Sequence, residues 1–182
     1  YALSTLWTSP SLIVNGVGFI AAVAQLIALY YFLRSIQINR SRLRGVISSP
    51  SYLLLMVSLL AFGVKLLLQL FSVYPSIALL AYEVRFYVIA YLHLVLIGMV
   101  SLFLIAWYGE WKGIFINKLQ IYLLLIGFVS SELVMITVGK LPDFINVSKW
   151  MFITSVVMVI GIAVVAYNFI VTPKSKPMSK LI

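Results

Sequence analysis

The sequence has no cysteine, a single histidine and only four acidic residues, against thirteen lysines and arginines. Without cysteine there are no disulfides, no thiolate metal sites and no cysteine nucleophile. One histidine, His93, cannot build a zinc centre unless carboxylates gather at its level. No phosphate-binding loop, dinucleotide fingerprint or HExxH motif occurs, and no spacing favours a serine–histidine–acid triad drawn from Ser101 or Ser131. Charge of either sign is scarce: 9% of residues carry it, where a soluble domain carries about a quarter. The net charge of +9 does not mark a nucleic-acid binder, because the basic residues sit in short connections between apolar segments. No signal peptide is visible, and the chain opens at Tyr1 rather than methionine. An N-terminal part is therefore expected to precede it.

What the sequence does have is apolar length. Hydrophobic residues make up 64% of the 182 positions, enough for five spans of about 20 residues joined by short connections. The expectation is an all-α, polytopic membrane helix bundle forming a single transmembrane domain, with spans near 12–33, 51–73, 82–107, 119–138 and 151–171. Trp7 stands at headgroup level ahead of Pro10. In the first span Asn15, Gly18, Ala22 and Gln25 form one small, polar stripe, suited to close helix packing or to lining a cofactor. In the fifth, Thr154, Gly161 and Asn168 share a seam. Arg34, Arg40, Arg42 and Arg44 crowd the first connection with no acid among them, Lys112 and Lys118 mark the third, and Lys174, Lys176 and Lys180 mark the tail. These are nine of the thirteen basic residues, so those segments are assigned to the cytoplasm and Tyr1 to the outside. An anionic-lipid or partner surface is the other use of the first basic connection. The implied location is the prokaryotic inner membrane.

Polar residues inside the spans are costly and so informative. Lys65 and Gln69 share a helix face four residues apart. Ser130, Ser131 and Glu132 lie toward the outer end of the fourth span, and Glu83 and Arg85 mark the same leaflet. Depth matching, at about 1.5 Å per residue, sets Lys65 and Glu132 level with opposite charge, which leads us to expect a direct or once-bridged pair. His93 sits near the middle of the third span. It is open to three uses: a structural hydrogen bond to Ser130, Ser131 or Tyr91, a metal or haem ligand, or a proton relay. The cluster as a whole reads as an architectural ion pair, a proton path or an anion-transport site. No complete catalytic constellation is present, which leaves enzymatic activity undecided.

The stretch from Tyr87 to Trp111, YVIAYLHLVLIGMVSLFLIAWYGEW, resembles the tenth helix of the catalytic subunit of haem-copper oxidases. The stretch NKLQIYLLLIGFVSSELVMITVGKLPDF is similar to that family's eleventh helix and following loop, and the last span takes the place of the twelfth. The resemblance covers roughly residues 82–172 and is positional before that. It places His93 on the second histidine of the family's His-Phe-His motif, the axial ligand of a low-spin haem. Tyr91 replaces the first histidine, and the region of Leu141 to Phe144 replaces an arginine pair that holds haem propionates. The copper-ligating histidines belong to helices outside this chain. The resemblance thus implies a membrane subunit of an electron-transport complex with one b-type haem at His93, partnered by other subunits or missing helices, and without oxygen reduction. The alternative is a haemless structural or transport subunit built around a buried Lys65–Glu132 pair.

The charge pattern carries a test of its own. Cysteines introduced by Ser41→Cys and Ser179→Cys should resist an impermeant thiol reagent in intact cells and react after lysis. Labelling of either in intact cells would invert the assignment.

Overall fold

The computed structural model describes residues 12–114, 117–140 and 146–171, and every element among them is helical. That follows from composition, since a chain dissolved in hydrocarbon must satisfy each backbone N–H and C=O within its own segment. The helices are α1 (Leu12–Ile38), α2 (Arg40–Val46), α3 (Ser49–Phe71), α4 (Pro75–Glu83), α5 (Arg85–His93), α6 (Leu102–Lys112), α7 (Lys118–Lys140) and α8 (Val147–Val171). A π-helical segment, Leu94–Ser101, joins α5 to α6 without a break. Five of the resulting helical runs hold spans long and apolar enough to cross a membrane, the shortest span, Lys118–Val138, 21 residues and the longest, Arg85–Lys112, 28. At 1.5 Å per residue that longest run measures about 42 Å, so its ends reach past a hydrocarbon core about 30 Å thick.

Local chemistry fixes the boundaries. Pro50 and Pro75 occupy the first turns of α3 and α4, where no N–H is needed. Gly113, at φ 64°, ends α6 in the left-handed conformation, and the N–H groups of Gly113 and Ile114 return to the carbonyls of Glu110 and Gly109. Several expected limits move; the third span extends to Lys112 rather than 107, and the fifth begins at Val147 rather than 151. The first span runs on to Ile38, carrying Arg34 in its helix, and most of the following basic connection is the short helix α2. The third span begins at Arg85 rather than 82, because Val84 takes an extended conformation and separates off α4.

Polar contacts fix an up-and-down order. Glu110, at the end of α6, accepts from the Ser48 N–H at 3.1 Å and from its hydroxyl, tying that end to the start of α3. Asn168 near the end of α8 donates to Gln120 near the start of α7 at 3.0 Å. One end of the bundle therefore gathers α2 and its arginines, Lys112 and Lys118. Trp107, Tyr108 and Trp111 ring that same end, with the Lys112 ammonium 4.7 Å from the Trp111 ring centroid, as expected of an interfacial aromatic belt.

The core lies where α3, α6, α7 and α8 meet, around Leu54, Leu102, Ala106, Ile121, Leu124 and Val165. On the face of α1, Gly18 and Ala22 of the small-residue stripe are buried, whereas Gln25 is exposed. The seam expected on α8 is real: Thr154 and Gly161 are buried and Asn168 reaches Gln120. Here α7 and α8 touch backbone to backbone. A Cβ on Gly127 would come within 2.7 Å of the Met158 nitrogen, and one on Gly161 within 2.8 Å of the Leu124 nitrogen. Gly98 meets α7 more softly, its would-be Cβ 2.7 Å from the Phe128 ring tip. Substituting Gly127→Ala or Gly161→Ala should therefore force the two helices apart and cost about 1–3 kcal/mol. Gly98→Ala should cost less, because a side chain can yield where a backbone cannot. Unfolding titrations in mixed micelles would rank the three, and a larger loss at Gly98 would contradict this packing.

Candidate functional site

The third span and α7 bring together the most consequential pair of polar side chains in the bundle. His93 stands eight residues inside Arg85, and Glu132 eight residues inside Lys140. Each is thus about 12 Å along its helix from the same end of the bundle. There the His93 Nδ1 and the Glu132 Oε1 face each other at 3.8 Å. Both atoms are fully covered and neither has a hydrogen-bond partner. At this separation the contact is an ion pair whenever the ring is protonated, and a small approach would make it a hydrogen bond. The carboxylate side chain is 15% exposed and the histidine 33%. Nδ1 is the covered ring nitrogen; Nε2 is not among the covered atoms and keeps some contact with the surroundings.

The expected Lys65–Glu132 pair does not form. Lys65 instead donates to Gln69 on its own helix at 2.6 Å and lines a groove of about 250 Å³ between α1 and α3, with Gln25 on the facing wall. The two residues match in depth but not in direction around their helices. Packed on α5, α7 turns Glu132 toward His93, while Lys65 looks toward α1. The remaining candidates do not join either pair. Ser131 is buried with its hydroxyl on the Phe128 carbonyl at 2.7 Å, and Ser130 is half-buried. Glu83 and Arg85 are exposed on either side of the Val84 break. Neither Ser130, Ser131 nor Tyr91 takes the role of hydrogen-bond partner to His93; the next residue on α7 supplies the facing group instead.

The segment after His93 is special in its backbone. Throughout Leu94–Ser101 the helix is wound one residue wider per turn, a form that appears mostly in short stretches at functional sites. Two hydroxyls serve its carbonyls: Ser101 donates to Leu96 and Ser58 of α3 to Met99, at 2.8 and 2.7 Å. The widening also places Gly98 against Phe128, drawing α7 close just below the His93–Glu132 level. Nothing in the apolar run LVLIGMVS announces this winding.

The donor set can be tested against the haem that the resemblance implies. An axial histidine works with one ring nitrogen on the metal and the other held by an acceptor, which fixes the ring and strengthens it as a donor. Glu132 stands where that acceptor would stand, and Nε2 is not covered, so His93 could supply one ligand to a haem iron. No group of three or more histidine, aspartate or glutamate side chains able to hold a metal ion forms among the described residues. The region of Leu141 to Phe144 lies outside the described residues. Compared with family models, curated proteins and solved structures, the chain matches none.

The facing pair can be verified by a double-variant cycle. His93→Leu and Glu132→Leu should each cost about 1–3 kcal/mol, because each leaves a covered polar atom without the polar group that faces it. The double variant should cost clearly less than the two together. Lys65→Met combined with Glu132→Leu should be additive. Additivity in the first cycle, or coupling in the second, would contradict the arrangement.

Proposed function

We propose that this chain is a membrane subunit of an electron-transport assembly in which His93 is an axial ligand to a low-spin haem and Glu132 is its orienting carboxylate. The observation that carries this reading is the covered His93 Nδ1 facing the Glu132 carboxylate, with Nε2 not covered. When bound, the haem would supply one-electron transfer. The chain's own part is to aim Nε2, to hold a proton between Nδ1 and Glu132, and to keep water from that proton with apolar helix walls. Any further ligand to the haem would come from another subunit or from further helices of the same protein. On the same reading the protein occupies a prokaryotic inner membrane. Its arginine-rich end faces the cytoplasm, and the His93–Glu132 level lies in the outer leaflet.

The same contact supports a second reading without haem. A covered ring nitrogen and a covered carboxylate oxygen that face each other make a proton-exchanging pair suited to a transport or proton-path subunit.

An absorption spectrum separates the two. Protein purified from haem-replete cells should show a Soret band and sharp reduced bands, lost in His93→Ala with the bundle still inserted and altered in Glu132→Gln. A featureless spectrum would remove the haem reading. The proton reading would then require a carboxyl infrared band that titrates in the wild type and vanishes in Glu132→Gln.

A further inference from the structure

On the other side of the third span from His93, a groove of about 690 Å³ runs between α1, α3 and the π-helical segment. That volume falls in the range of pockets holding one small organic molecule, about 300–1,000 Å³. Its walls are apolar from Tyr52 down to Phe62 of α3, ten residues or about 15 Å, closed on the far side by Phe32 of α1 and Met99 of the third span. This is the depth of one leaflet of a core about 30 Å thick. The deep end is apolar but for Ser58, whose hydroxyl is already spent on the Met99 carbonyl. At the shallow end the lining changes, and the groove opens beneath α2 with Arg42 at its mouth.

The charges at this end do not cancel. Arg40, Arg42 and Arg44 lie on α2 with no acid, and the carboxylate that α6 brings to this end, Glu110, is already engaged by Ser48. Arg44 packs its guanidinium over the Tyr52 ring at 5.3 Å. Arg42 is exposed and forms no ion pair among the described residues. A guanidinium at headgroup level, above an apolar channel one leaflet deep, is matched by a ligand with an anionic head and an acyl tail. A zwitterionic lipid would offer Arg42 only a phosphate already offset by its own headgroup ammonium. A protein helix would be too wide, since a helix with its side chains measures about 10–12 Å across.

We infer that this groove is a binding site for an anionic phospholipid, whose headgroup phosphate pairs with Arg42 and whose acyl chain lies between α1 and α3 against Met99. This site is separate from the His93–Glu132 level and does not depend on whether haem is bound there.

Native mass spectrometry of the full chain, released from micelles doped with phosphatidylglycerol or with phosphatidylcholine of the same acyl chains, tests it. The wild type should retain one phosphatidylglycerol with about fivefold preference over phosphatidylcholine, the factor expected of a single well-placed basic residue. Arg42→Gln should bring the two to parity, while Lys118→Gln, at the same end but outside the groove, should leave the preference intact. Met56→Trp, which fills the channel, should abolish retention of both. Arg42 is exposed, so its replacement leaves the fold in place, and a matching circular dichroism spectrum confirms that. Equal retention of the two lipids by the wild type would overturn the inference. So would equal losses in Arg42→Gln and Lys118→Gln, since that would mark a diffuse surface attraction. Dimerisation blocked by Met56→Trp would overturn it in favour of a second copy as the occupant.

Discussion

Hydrocarbon gives helices no hydrophobic reason to leave lipid for one another, so every contact in this bundle has to be won by close packing or by a polar group that lipid cannot satisfy. That constraint sorts the five spans. The tightest pairing, α7 with α8, depends on Gly127 and Gly161 letting two backbones meet, with Ser131 and Thr154 further along the same faces turning their hydroxyls back on their own helices. The span least engaged, α1, offers Gly18 and Ala22 to α3 and otherwise shows large apolar side chains to its surroundings. Between these extremes sit the polar contacts. Gln120–Asn168 and Ser48–Glu110 hold the basic end, where water is near and a hydrogen bond is worth little. His93–Glu132 lies deeper, where the same groups are far harder to leave alone.

This depth dependence explains which features could be read from residues alone. The five spans, their alternation and the basic end followed from apolar length and from loop charge, both of which are properties of sequence order. The α8 seam was legible because small and polar residues recur at helical spacing. The partner of Glu132 was not, although the necessary numbers were present. Depth is a single coordinate, and Lys65 satisfies it about as well as His93 does. Direction around the helix decides between them, and that is set by which helix packs on which face. Starting the third span at 82 also hid that His93 and Glu132 are equally far from the ends of their helices. With Arg85 as the start, His93 falls level with Glu132. The π-helical winding lay beyond reach for a different reason, since its cause is tertiary. The wide turn is supported by the Ser58 hydroxyl from α3 and by the close approach of Phe128 from α7.

That winding links the two regions of interest. An α-helix presents the same face every three or four residues, so a straight third span would keep His93 and the residues two turns later on related faces. Inserting wider turns rotates the second half of the span relative to the first. In this chain the first half turns His93 toward α7, and the second half turns Met99, Val100 and Phe103 toward the groove beside α1 and α3. One continuous helix thereby serves two partners on different sides. A backbone distortion that costs hydrogen-bond quality persists only when surrounding contacts over-determine it. Here the contacts that do so come from the two elements it brings into place, α3 through Ser58 and α7 through Phe128. The π segment is therefore the joint of the bundle: remove its supports and the histidine and the groove can no longer both face their present neighbours.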